Sequence, residues 1–159
     1  MLESLYIENF AIINQVQIDF HSGMTVLTGE TGAGKSIIID AIGQLLGQRT
    51  QPNFVKENRD YAYIEGVFTS NEKINTLLDE MHIPSDTQLI VSKKITKDGK
   101  SSIKINYRST TQMLLKTVMS NLVDIHSQFE THQLFKQSYH LQVLDDYCGK
   151  KLSILKEKY

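Results

Sequence analysis

The octapeptide Gly29-Glu30-Thr31-Gly32-Ala33-Gly34-Lys35-Ser36 constrains this chain more than any other stretch of it. It fits G-x-x-x-x-G-K-[ST] without a deviation, a pattern whose glycines let successive backbone N–H groups turn inward around phosphate oxygens. Lys35 is expected to set a point charge against the β- and γ-phosphates, and the Ser36 hydroxyl to ligate Mg²⁺. All eight residues are therefore candidates for holding a nucleoside triphosphate, ATP with Mg²⁺. The flanks agree. Met24-Thr25-Val26-Leu27-Thr28 reads as a short strand buried on both faces. From Lys35 to about Leu46 the pattern is helical, with Ile38, Ile39, Ile42, Leu45 and Leu46 on one face and Gly47 as its stop. A helix starting at Lys35 brings its positive N-terminal end to the same site. A plain glycine-rich turn with a solvated lysine leaves the register of the glycines and Lys-Ser unexplained.

The rest of the chain alternates strands and helices, which points to an α/β fold. Residues 2–8 and 15–20 read as strands, the second with clean period two and antiparallel to the first, and His21-Ser22-Gly23 as a turn. A polar loop covers 48–60. Tyr61 to Thr69 is a predicted strand. Asn71 to His82 is a predicted helix with Ser70 or Asn71 as its cap. Leu89 to Thr96 and Ser101 to Asn106 flank Lys97-Asp98-Gly99-Lys100, a hairpin signal. Thr110 to about Asn121 should be helix, Leu122 to His126 a short buried strand, and the stretch from His132 helical.

With 159 residues the chain suits one domain. A net charge of −1 means that any polyanionic partner must be met by a local patch. Cys148, the one cysteine, has no internal partner and reads as a plain structural thiol in a reducing cytoplasm. No secretory pattern opens the chain, and no apolar run approaches the ~20 residues of a membrane helix, so a soluble cytoplasmic protein without membrane contact is expected.

Hydrolysis by a P-loop enzyme needs a second acid at the end of an apolar strand to help hold Mg²⁺. Asp124, in Leu122-Val123-Asp124-Ile125, is the nearest candidate, but its apolar run is short and no glutamate follows. Asp145-Asp146 sits in helical spacing and reads as a solvated helix face. The site looks half built: the residues can cradle a triphosphate, and the acid for efficient hydrolysis is missing from them.

Leu5-Tyr6-Ile7-Glu8-Asn9-Phe10-Ala11-Ile12-Ile13, the run from Gly23 through Ile42, Leu46-Gly47-Gln48-Arg49, the Ile105-Asn106 hairpin end, Val123-Asp124-Ile125-His126-Ser127-Gln128-Phe129-Glu130-Thr131-His132-Gln133-Leu134 and Leu144-Asp145-Asp146-Tyr147 together resemble the SMC-like ABC ATPases of bacterial double-strand-break repair. The resemblance covers nearly the whole chain, with the segments in the expected order. It implies the N-terminal lobe of an ATPase head over 1–131 and the helical root of a coiled coil over 132–159. The implied fold is a P-loop lobe with a mixed sheet and an antiparallel β part. The family's C-terminal lobe, in the same parent chain, carries the ABC signature and the Walker B acid, so ATPase activity would belong to the full-length protein. Gln128 matches the Q-loop glutamine, which touches Mg²⁺ and the attacking water; read without the resemblance, a surface glutamine in a turn fits equally. Asn9 and Phe10 match a turn of such heads and read as packing residues. The implied partners are the C-terminal lobe, a second head engaged as a homodimer on ATP binding, and DNA.

The chain departs from the family pattern at three places. Lys93-Lys94 stands where arginines are common, Tyr107 where glycine follows Ile-Asn, and His126-Ser127-Gln128-Phe129 where His-Gly-Gln-His is usual. Lys93, Lys94, Lys97, Lys100, Lys104 and Arg108 form a basic hairpin able to lie along phosphates, or equally a lysine-protected sheet edge. Arg49 could reach a γ-phosphate or DNA, or be an ordinary surface arginine. Two rival functions stand beside the ATPase head. One is a small P-loop kinase, for which the segment after Gly47 lacks a clear arginine-bearing lid. The other is a stand-alone ATP-binding module without its own hydrolysis.

Overall fold

Two β-prone segments separated by a tight turn form a hairpin at one edge of the sheet. The computed structural model describes residues 1–29 and 34–123. Strand β1 (Leu2–Phe10) runs antiparallel to β2 (Ile13–Asp19), with Ile7 opposite Val16. Ala11 turns the chain at φ 50°. On its other side β1 pairs with β3 (Tyr61–Thr69), Ile7 facing Ile64. Strands β4 (Gln88–Thr96), β5 (Ser101–Ile105) and β6 (Arg108–Thr110) continue the sheet in the order β2-β1-β3-β4-β5-β6. Every pairing among the described residues is antiparallel, which is the antiparallel part of the expected mixed sheet.

Period two sorts the side chains. Leu5, Ile7, Ala62, Ile64, Phe68, Leu89, Val91, Ile95, Ile103 and Ile105 are buried in one core with Leu45 of α1 (Lys35–Leu45), Ile74 and Leu78 of α2 (Glu72–Glu80), and Leu115, Val118 and Met119 of α3 (Gln112–Ser120). Burial of each of these side chains larger than Ala62 stabilises the fold by about 1.5–3 kcal/mol. Helix α1 comes down on β3 at Gly66, where a Cβ would lie 2.7 Å from Leu45 Cδ1, so any larger residue would have to displace that side chain. Helix α2 is capped by Asn71, whose Oδ1 accepts from Ile74 N at 2.9 Å, and α3 by Thr111, whose Oγ1 accepts from Leu114 N at 3.2 Å. Phe10 stacks on Phe54 with ring centroids 4.9 Å apart and is fully buried, so the Asn9-Phe10 turn has its packing role.

Four expectations need correction. Met24–Thr28 forms no strand, and Met24 is 89% and Val26 64% exposed. A strand apolar on both faces belongs inside a parallel sheet, and the described residues offer it no neighbour. On α1, Ile39 is half exposed, and the buried stripe instead holds Ala41, Gln44 and Leu45. Leu122 and Val123 do not begin a strand: their N–H groups return to Met119 O, closing α3. Finally, β6 was not foreseen; Asn106 and Tyr107, at φ 43° and 65°, make a two-residue turn that starts it. The expected helical root over 132–159 lies outside the described residues.

Candidate nucleotide-binding site

Of the eight P-loop residues, Gly29, Gly34, Lys35 and Ser36 are described; Glu30, Thr31, Gly32 and Ala33 lie outside the described residues. Gly34 is the N-cap of α1 at φ 102°. That left-handed value is open to glycine and strained for an L side chain, and it swings the chain from the loop into the helix. The first helical bond, Ile38 N to Gly34 O at 3.1 Å, leaves the earlier N–H groups of α1 free to face an anion. Lys35 donates from Nζ to Gly29 O, so its side chain folds back across the loop and joins the two ends of the motif. Ser36 is exposed in the first turn of α1, beside Lys35, and its hydroxyl is of the oxygen class that Mg²⁺ takes. No cluster of metal-binding side chains occurs elsewhere among the described residues. Asp124, Gln128, the Asp145-Asp146 pair and Cys148 fall outside the described residues.

At its other end α1 stops where Gly47, at φ 86°, lets Gln48 N reach Gly43 O at 2.9 Å. Here the structure overturns one member of the basic hairpin. Lys93 is 0% exposed. Its inward register, between Val91 and Ile95, carries it under the end of α1, where Nζ donates to Gln44 Oε1 at 2.9 Å. The period-two pattern of β4 held this signal, since an odd-numbered lysine among Leu89, Val91 and Ile95 must point inward. Lys94, Lys97, Lys104 and Arg108 are exposed, and Lys100 is paired with Asp98 at 2.9 Å. A hydrogen bond from the Thr96 hydroxyl, with Lys100 beside it, holds the Asp98 carboxyl down at about 2.

The outer face of the sheet is less basic than the hairpin alone. Lys94 Nζ lies 4.2 Å from the centre of the Tyr61 ring, and Tyr61 and Tyr6 donate to Glu8. Tyr63 donates to Glu65; burial, helped by that bond, pushes its phenol up to about 12. Arg49 is exposed on the turn after α1. No described helix is long and apolar enough to cross a membrane.

Comparison with known proteins agrees with this architecture. The family described as "AAA domain" matches residues 4–158. The DNA repair protein RecN of Halalkalibacterium halodurans is 42% identical over 162 residues, covering 100% of this chain and 29% of that protein. The RecN of Vibrio cholerae is 38% identical over 151 residues, 94% of this chain and 27% of its own length. The chain thus spans less than a third of the curated relatives it matches. Among solved structures, an Smc head domain with an extended coiled coil from Pyrococcus furiosus superposes with a TM-score of 0.72 at 22% identity, over 99% of this chain and 44% of that one. An SMC ATPase studied for ATP-driven dimerization and DNA-stimulated activation gives a TM-score of 0.67 at 22% identity, over 90% of this chain and 95% of that one. The fold is that of an SMC-type ATPase head, and the chain belongs to the AAA-domain family, where the curated proteins it matches are DNA repair proteins RecN.

Proposed function

We propose that this chain binds ATP with Mg²⁺ through Gly29–Ser36 and serves as the N-terminal lobe of a RecN-like ATPase in DNA double-strand-break repair. The observation that carries this is the joint between loop and helix: Gly34 in a left-handed cap, Lys35 folded onto Gly29, and unpaired N–H groups at the start of α1. Backbone donors and Lys35 would bind the β- and γ-phosphates, and Ser36, with Gln128 from the later segment, would orient the metal. Mg²⁺ so held would neutralise charge on the phosphates. Hydrolysis would need the acid of the C-terminal lobe, and ATP bound between two heads would make nucleotide a switch for head engagement, gating contact with DNA.

Exposed Met24, Val26 and Leu27, and half-exposed Ile39, support a partner lobe, since apolar surface beside the loop is what a neighbouring strand and its lobe would cover. The test is Lys35→Ala in the full-length protein, with MgATP binding followed by calorimetry. Removing a charge-assisted contact of about 1.5–3 kcal/mol should weaken binding roughly 10- to 100-fold while the thermal midpoint of the nucleotide-free protein stays put. Unchanged affinity would sink the assignment.

A further inference from the structure

Lys93 is assigned no part in phosphate binding and has no carboxylate partner among the described residues, yet it is fully buried. A lone ammonium in a core is expensive, and an apolar residue at the same inward position of β4 would pack there without that cost. What it meets instead is one structural object. Nζ donates to Gln44 Oε1 at 2.9 Å, to Gln48 O at 3.3 Å and to Gln44 O at 3.5 Å, so all its protons point at the last turn of α1 and the turn that follows. That helix end carries the negative end of the helix dipole, its Ile42, Gly43 and Gln44 carbonyls already accept from the N–H groups of Leu46, Gln48 and Gly47, and no basic residue of α1 itself sits in its last turn.

The polar knot extends further. Gln44 Oε1 also accepts from Thr50 Oγ1 at 3.2 Å, and Gln44 Nε2 donates to Arg49 O at 3.3 Å. From α3, Gln112 Nε2 donates to Gly47 O at 2.6 Å and to Gln48 O at 3.3 Å. One helix of 11 residues therefore has Lys35 and Ser36 at its start and a buried, strand-borne cation at its finish. A straight helix of that length is stiff, so fixing its far end fixes where its first turn presents Lys35 and Ser36.

We propose that Lys93 is a positioning residue for nucleotide binding: it anchors the C-terminal end of α1 to β4 and so sets the P-loop end of the same helix. This rests on the ATP-binding reading above. Merely structural burial and positioning make different predictions. If Lys93 only supports the core, Lys93→Met, similar in length and apolar, should follow the usual rule for buried charges and leave affinity for MgATP alone once folded. If Lys93 positions the helix, the same variant should keep or raise its thermal midpoint and still lose affinity.

The experiment uses the full-length protein, with MgATP titrated into wild type, Lys93→Met, Lys93→Arg and Gln112→Ala. Positioning predicts a roughly tenfold loss for Lys93→Met, by analogy with supporting residues that orient ligand-binding groups, with affinity largely restored in Lys93→Arg. Gln112→Ala changes no charge but removes the donor to Gly47 O and to Gln48 O, the carbonyl it shares with Lys93, so it should lose affinity in the same direction, which a long-range charge effect would not produce. Wild-type affinity in a folded Lys93→Met overturns the proposal. Should that variant fail to fold, Gln112→Ala decides, and wild-type affinity there overturns it equally. Wild type that binds no MgATP overturns the ATP-binding reading along with this one, whereas binding that is insensitive to these substitutions overturns this one alone.

Discussion

Strand β3 and the segment 24–28 are built from similar residues and end in opposite surroundings. β3 has β1 on one side and β4 on the other, and its inward Ala62, Ile64 and Phe68 are sealed off from water. Met24–Thr28 has no strand beside it among the described residues, and Met24, Val26 and Leu27 lie open. The antiparallel sheet closes its own hydrogen bonds and its own core. The lead into the phosphate loop does neither. Helix α1 joins the two regimes, beginning at the loop with Lys35 and ending in the sealed core with Leu45. The nucleotide binding proposed for this chain would thus hang between a self-sufficient half and a half that depends on what is brought to it.

The largest effects should fall on the closed side. Ile64→Ala opens a cavity under α1 and should cost about 2–5 kcal/mol in chemical denaturation. On the open side, Val26→Asp in the 159-residue chain should stay within about 0.5 kcal/mol, as surface changes do. In the full-length protein the same Val26→Asp should cost at least about 1–3 kcal/mol, because a covered strand would bury an unpaired carboxylate. Equal, small penalties in both lengths would break the contrast and leave 24–28 a surface loop in every context.

The same contrast explains which parts were legible in sequence. Strands that supply their own partners announce themselves: 61–69 is bounded to the residue, and of the two candidate caps for α2 it is Asn71 whose side-chain oxygen reaches Ile74 N. Period two is a local signal that records burial on one face. A run such as Met24-Thr25-Val26-Leu27 records burial against something else, and local sequence does not say whether that something is present. Lys93 was missed for a related reason. It was counted with its neighbours by charge, although its register in β4 put it on the core side, and the carbonyls it meets are set by a helix end 49 residues earlier in the chain. Long-range polar knots of this kind leave no periodic trace. The P-loop was legible because its chemistry is contained in eight consecutive residues.

Lys93 also offers a way to probe the closed half by pH. Burial, with the Lys116 cation of α3 adding to it, lowers its ammonium from 10.5 to about 8. Among the described residues its cross-strand neighbours and hydrogen-bond partners are neutral: Ile64 of β3, Ile103 of β5, and Gln44 and Gln48 at the end of α1. Between pH 8 and 10.5 the unfolded chain holds the proton more tightly than the folded one, so folding stability from this group rises with pH across that window. The slope is at most about 1.4 kcal/mol per pH unit. Lys93→Met should remove the rise, measured as the urea midpoint against pH. A variant that keeps the wild-type slope would mean that Lys93 does not titrate in that range.

The smallest expected effect lies at the far edge of the sheet and has the opposite sign. The β5–β6 turn places Asn106 and Tyr107 at positive φ, and Tyr107 sits there 75% exposed. Asn106 belongs in the turn: Ile90 N donates to its Oδ1 at 2.8 Å, and its Nδ2 donates to Pro84 O at 2.6 Å. Tyr107 gains no comparable bond from its left-handed backbone, which costs an L residue roughly 1–2 kcal/mol relative to glycine. Tyr107→Gly should therefore stabilise the chain by up to about 1 kcal/mol, reduced by the extra freedom glycine gives the unfolded state. The gain should appear in the 159-residue chain and the full-length protein alike, because β5 and β6 pair with each other. A gain confined to one of the two lengths would mean that this edge, too, is completed by the rest of the protein. The boundary between the closed and the open half would then have to move from the phosphate loop to the sheet edge.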